Sequence, residues 1–144
     1  MDLKEYYDDK TKTLKIPYDY DEELKNIPIE TTEIIFLDLE AYKNFSKYNK
    51  PIDNLPLSLT HLNLGHFFNQ PVNNLPTKLT HLTFGKNFNH YVDNLPLSLT
   101  HLTFGEKFNK KVDKLPLSLT HLTFGRQTPV RLAHPKIMNI FIIV

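Results

Sequence analysis

The ten residues from Leu95 to Phe104, LPLSLTHLTF, recur unchanged from Leu115 to Phe124, 20 positions further on. The Leu-Pro pair that opens them also occurs as Leu55-Pro56 and Leu75-Pro76, so the spacing of 20 holds across four copies. The unit reads LP-x-x-LTHL-x-F-G-x-x-FN-x-x-V-x-x. A fixed period of this length marks a repeat architecture. Within a unit, Leu62 and Leu64 alternate with His61 and Asn63, the two-residue period of a half-buried strand. Leu59, Leu62 and Leu64 give the L-x-x-L-x-L strand spacing of leucine-rich repeats.

The register continues outward from these copies. Tyr48-Asn49-Lys50-Pro51-Ile52 parallels Phe68-Asn69-Gln70-Pro71-Val72. Further upstream Ile27-Pro28 takes the Leu-Pro place, and Ile34 and Phe36 take those of Leu62 and Leu64. The step from Ile34 to Leu62 is 28, which puts an insertion of about eight residues near 38–46. Leu14 and Ile16 lie one period before Ile34 and Phe36, with Tyr20 in register with Phe68. Downstream, Ile142 and Val144 lie one period after Leu122 and Phe124. The sequence therefore predicts one repeat domain over 1–144. It comprises a tail (1–12), degenerate N-terminal cap repeats (13–47), regular repeats (48–128) and a degenerate C-terminal repeat (129–144). Strands are expected to centre near Leu14, Ile34, Leu62, Leu82, Leu102 and Leu122.

The predicted fold class is a mainly β repeat solenoid, leucine-rich-repeat-like. It has one parallel β-sheet and return segments made of turns or a single 3-10 turn. Proline every 20 residues fixes φ and removes a ladder donor, which excludes long helices. All four glycines fall at one repeat position, Gly65, Gly85, Gly105 and Gly125, which suits positive φ or close backbone approach. A single unit buries too little to order its own chain, so stability must come from stacking. In a middle unit the inward groups are Leu95, Leu99, Leu102, Phe104, Phe108 and Val112. Asn69, Asn89 and Asn109 follow the inward Phe and are read as a structural ladder.

Composition narrows the function. The chain has no cysteine, which rules out disulfides and thiolate metal sites. Residues 1–10 are acidic and polar, unlike a signal peptide, and the longest apolar run, 140–144, is too short to span a bilayer. A soluble intracellular, cytoplasmic protein is expected. Residues 1–50 hold 8 Lys/Arg against 12 Asp/Glu, and residues 51–144 hold 9 against 4. Such asymmetry marks either a charged partner or simply two solvated faces.

LPLSLTHLTFG followed by FN, together with Phe68-Asn69-Gln70-Pro71-Val72, resembles the FNIP repeat, a relative of leucine-rich repeats abundant in amoebae and in the giant DNA viruses that infect them. The resemblance is specific over residues 48–128 and implies an interaction scaffold. Some relatives carry an F-box ahead of the repeats, which implies substrate capture for ubiquitination. Only about a dozen residues precede the first rung here, too few for an F-box. The pattern departs from the family at His90-Tyr91 and Lys110-Lys111, where Gln-Pro is expected.

The candidate partner-binding face consists of His61, His81, His101 and His121 with Asn63, Thr83, Thr103 and Thr123, two adjacent lines on the outward side of the strands. They form either a partner-facing surface or a by-product of repeat duplication. No carboxylate or cysteine repeats beside the histidines, and stacked rings do not converge, so no metal and no cofactor is expected. Ser58, Ser98 and Ser118 recur without an arranged base, unlike a single catalytic constellation. Lys86, Lys107, Lys110, Lys111, Lys114 and Arg126 fall on the loop side. The aromatics near them, Phe88 and Phe108, have core periodicity, so nucleic acid is not the expected partner. The expected function is a non-catalytic scaffold for an unknown protein partner, with no membrane role. The alternatives are self-association through the apolar edge Ile140, Phe141, Ile142, Ile143 and Val144, and a recognition arm in a ubiquitin-related assembly.

Overall fold

The computed structural model describes residues 2–126 and 141–143. Its eight strands are β1 (Tyr7–Asp8), β2 (Thr13–Ile16), β3 (Glu33–Phe36), β4 (His61–Asn63), β5 (His81–Thr83), β6 (His101–Phe104), β7 (His121–Phe124) and β8 (Phe141–Ile143). They form one sheet in chain order. From β2 to β8 every pairing is parallel, and Leu14, Ile34, Leu62, Leu82, Leu102, Leu122 and Ile142 share one register position. All six expected strand centres therefore lie in strands. Ile140 and Val144, also named for the C-terminal edge, lie outside the described residues.

One pairing departs from the expected all-parallel sheet. β1 runs antiparallel to β2, with Tyr7 opposite Leu14 and Asp8 opposite Thr13. The residues read as a tail thus begin with structure of their own: a 3-10 turn over Leu3–Tyr6, capped by the Asp2 carboxylate, and then a hairpin. The hairpin closes because the Asp8 carboxylate accepts from the Lys10 and Thr11 N–H groups, while Lys12 takes a left-handed φ of 54°. Leu3 is buried against the first rung, so this short segment covers the end of the stack.

Each regular rung has the same course. The Leu-Pro pair opens a turn closed by Leu59 N–H to Pro56 C=O, repeated at Leu79, Leu99 and Leu119. The strand follows, then a turn at Gly, then the inward Phe. Among the described residues, 3-10 turns occur only at Leu3–Tyr6 and Glu40–Tyr42, outside the regular rungs. The second lies in the expected insertion. There Leu39 and Asn44 form a bridge, and the Asp38 carboxylate accepts from Ser46 N–H at 2.7 Å, returning the chain to register.

The core is a single column of buried groups. Leu95, Leu99, Leu102, Phe104, Phe108 and Val112 are all inside, as expected. Tyr20, Tyr48, Phe68, Phe88 and Phe108 stack ring over ring along the return side. The two tyrosine hydroxyls donate to the carbonyls of Glu23 and Pro51, which satisfies them. None of the glycines has a positive φ. The close-approach reading is the one that holds: a Cβ on Gly85 would meet the Gly65 carbonyl group and lie 2.9 Å from His66 Cα.

The asparagine ladder is present and longer than three rungs. Each side-chain oxygen accepts from the next rung's backbone: Asn69 N–H to Asn49, Asn89 N–H to Asn69 and Asn109 N–H to Asn89, at 2.8–2.9 Å. At the family's glutamine position, Gln70 Nε2 donates to Asn49 C=O at 3.0 Å. His90 Nε2 makes the equivalent contact to Asn69 C=O at 3.0 Å, so the departure keeps the bond.

Candidate functional site

The strand register places His61, His81, His101 and His121 side by side, with Asn63, Thr83, Thr103 and Thr123 in the adjacent column. Leu62, Leu82, Leu102 and Leu122, between the two columns, point inward and are buried. His61 and His121 are exposed, and His81 and His101 half-buried. The imidazoles stack at centroid separations of 4.1–4.2 Å with planes 7–16° apart. Such stacked rings direct their nitrogens side by side, not toward a common point. Glu33 precedes His61 in the same column, and its carboxylate accepts the Thr13 hydroxyl at 3.0 Å.

Each histidine of the column is held from one side. Thr60, Thr80, Thr100 and Thr120 lie 2.8–2.9 Å from the Nδ1 of the histidine that follows each. Each of these hydroxyls also donates to the carbonyl of its counterpart one rung back, at 3.0–3.1 Å. The face is therefore built by side chains locked to the strand backbone, with little rotamer freedom left to lose on binding.

The rungs are wedges. The spacing between rungs is 4.1–4.2 Å at the imidazoles, 5.5 Å at the Phe84–Phe104–Phe124 column and 6.2–6.4 Å along Tyr48–Phe68–Phe88–Phe108. Pure twist would give its smallest spacing in the core, whereas here the smallest lies at one surface, so the stack bends. With strands about 4.8 Å apart and the rings about 4 Å beyond them, each rung turns by on the order of 10°. The His/Thr face is the concave side. The cysteine-free chain suits paired spin labels. Labels at Glu33 and His121 span four steps of about 4.2 Å, about 17 Å in all. Labels at Asp21 and Asn109, beside the return-side ring column, span four steps of about 6.3 Å, about 25 Å in all. Dipolar distances should differ by about 8 Å in that sense; equal distances would mean a straight stack.

Burial lowers the pKa of His81 and His101 from 6.5, and repulsion from neighbouring imidazoles adds to it. Burial is the largest single cause at both rings, and each neighbouring imidazole taken singly contributes less. His66, packed 4.3 Å from the Phe45 ring, is lowered mainly by burial too. Groups so shifted bind protons in the unfolded chain first. Stability should be full above about pH 6.5 and decline as pH falls through the window below it. A His81→Gln/His101→Gln variant should show a smaller drop in urea midpoint between about pH 7.5 and 5.5 than the parent, His66 supplying the rest. A parallel loss in both proteins would remove the two histidines as the cause.

The remaining candidates sort differently. Ser58 and Ser98 each contact two carbonyls of the preceding turn at 2.6–2.7 Å, and Ser118 contacts Leu99 C=O at 2.7 Å, so these hydroxyls tie rungs together. Of the loop-side lysines, Lys86 pairs with Glu106 at 2.9 Å and Lys110 sits over the Tyr91 ring. A feature the sequence reading missed is a column of exposed aliphatics, Ile29, Leu57, Leu97 and Leu117, each 76–86% accessible. The signal was available: each follows the repeat proline and stands two residues before a buried residue, Thr31, Leu59, Leu99 or Leu119.

The FNIP Repeat family model matches residues 48–87, 68–107 and 88–127. No curated protein matches the chain by sequence. Among solved structures, the crystal structure of CroV588, a novel circular LRR protein, is similar, with 37% sequence identity and a TM-score of 0.74. The match covers 92% of this chain and 20% of the CroV588 chain, so the chain spans about a fifth of that relative. A stack that bends in one sense agrees with a circular relative.

Proposed function

Because this chain belongs to the FNIP repeat family, we propose that it is a non-catalytic scaffold that binds a protein partner across its concave strand face. The observation that carries this reading is the face itself. Two ordered polar columns line the inside of the curve, on positions that the apolar core does not use. Copies of one residue pattern along a groove suit an extended contact, whereas catalysis needs one constellation of unlike groups. Among the described residues, no helix is long and apolar enough to cross a membrane.

A second reading has its own support: β8 is the last strand of the sheet among the described residues, and a strand edge is a template for another chain. Light scattering over a range of concentrations separates the two, since self-association gives a mass that rises with concentration. The face reading is tested by hydrogen exchange on the chain with its captured partner. Protection concentrated in residues 61–63, 81–83 and 101–104 supports it. Protection confined to the return side or to β8 overturns it.

A further inference from the structure

We propose that the histidine column is a line of hydrogen-bond acceptors fixed in one tautomer, and that its partner is a cationic, arginine- or lysine-bearing peptide segment released by acid. This rests on the face being the binding surface and adds the chemistry of what it binds.

The tautomer follows from a count of protons. Thr60, Thr80 and Thr100 each carry one hydroxyl proton. Each hydroxyl faces a backbone carbonyl of the preceding rung at 3.0–3.1 Å, and a carbonyl only accepts. That carbonyl also accepts two backbone N–H groups, and both contacts of the hydroxyl are hydrogen bonds only when its proton goes to the carbonyl. The same hydroxyl oxygen lies 2.8–2.9 Å from the Nδ1 of His61, His81 or His101. For that contact to be a hydrogen bond, the imidazole must donate. A neutral imidazole has a single N–H, so it sits on Nδ1 and Nε2 keeps its lone pair. Among the described residues, no group donates to Nε2 of these three histidines. Thr120 and His121 repeat the Nδ1 contact at 2.9 Å.

The line begins with a charge. Glu33 lies next to His61 in the register, so the column runs carboxylate, then imidazole after imidazole, each rung offering an acceptor. Alongside it run Lys15, Ile35, Asn63, Thr83, Thr103 and Thr123. Lys86, Lys107, Lys110, Lys111 and Lys114 belong to the return side. Acceptors in a row are best satisfied by groups that only donate. Arginine brings five N–H donors and lysine three, with no acceptor on either, and their charge complements Glu33. Protonation reverses the surface. An imidazolium donates from both nitrogens, so the acceptors vanish and like charges meet across the contact. His61 faces Glu33 and His81, His81 faces His61 and His101, and His101 faces His81 and His121. Acid therefore accumulates positive charge along the column.

Two measurements test this on the full chain. Ring-nitrogen NMR at about pH 7.5 should show the Nδ1–H tautomer for His81 and His101, and Thr80→Val/Thr100→Val should return both to the commoner Nε2–H form. Nε2–H as the main form in the parent would overturn the proposal, whatever the partner proves to be. Fluorescence anisotropy then uses a labelled decapeptide of alternating arginine and serine, with a glutamate–serine peptide as control. The arginine peptide should bind at pH 7.5 and weaken by about tenfold or more at pH 5.5, the scale of a few close like-charge contacts. A His61→Gln/His81→Gln/His101→Gln variant with unchanged melting temperature at pH 7.5 should lose that pH dependence. Equal binding of the glutamate peptide, or an unchanged pH response in the variant, would overturn it. A tautomer as expected with an unsuccessful hydrogen-exchange footprint would instead remove the face reading on which the proposal rests.

Discussion

Gly85→Ala is expected to destabilise the fold by about 3 kcal/mol, the upper part of the range for overpacking. The added methyl has nowhere to go. It would meet the Gly65 carbonyl group and stand 2.9 Å from His66 Cα, all backbone atoms of the rung beneath. Backbone in a stacked ladder cannot swing aside as a long side chain can. The φ of Gly85 is one that alanine adopts freely, so conformational preference alone would make the substitution neutral or favourable. The sign of the effect therefore separates close approach from backbone conformation. Gly65 supplies the control. Its Cβ would meet the Ser46 side chain, so Gly65→Ala should be partly rescued by Ser46→Gly. The Ser46 hydroxyl is buried without a hydrogen-bond partner, which lowers the cost of removing it. No such partner substitution exists for Gly85. Urea midpoints of the three variants check the set, and a stable Gly85→Ala protein would show that the rungs are not in backbone contact.

Leu102→Ala should cost about 2–5 kcal/mol, the range for a buried leucine whose cavity cannot collapse. Leu102 is 1% exposed and stands in register between Leu82 and Leu122, so both sides of the void are walled by neighbouring rungs. Thr103, one residue on, points to the concave face and should change stability by less than about 1 kcal/mol on substitution by alanine. The contrast tests the assignment of the two faces. Equal losses at the two positions would mean that the outward residues carry the fold as well.

The period of 20 made most of this architecture legible before any coordinates. Two-residue alternation in THLTF tells which side of the strand is buried, and the repeat supplies the register, because identical rungs stack with identical residues in line. Four features were not legible, each for a physical reason. The antiparallel β1 depends on a left-handed Lys12 and an Asp8 carboxylate turn, and neither is a glycine or Asn-Gly signal. The curvature is a difference in pitch between columns, set by side chains on opposite sides of the rung, and no single unit displays it. The tie from Thr60 to both His61 and Thr32 crosses between rungs, so adjacent letters do not reveal it. Burial as the main depressor of His81 and His101 follows from half-sunken rings that an alternation pattern assigns wholly to solvent.

For the candidate site, the sequence located the columns and the structure supplied their shape. His61, His81, His101 and His121 with Asn63, Thr83, Thr103 and Thr123 were placed together correctly, since register alone requires it. The exposed leucines were overlooked because Leu57, Leu97 and Leu117 sit in the turn ahead of the strand, where the two-residue period does not apply.

On the proposed reading the concave side chains serve a partner and not the fold. The most direct measurement replaces His81, Thr83, His101 and Thr103 with alanine together and reads two quantities at about pH 7.5: the melting temperature, and the retention of a partner captured by the parent chain. A melting temperature within a few degrees of the parent is expected, because these half-buried side chains lie outside the core, together with loss of the partner. Partner retention at parental level in a variant that remains folded would contradict it, because the surface that binds would then lie elsewhere on the arc.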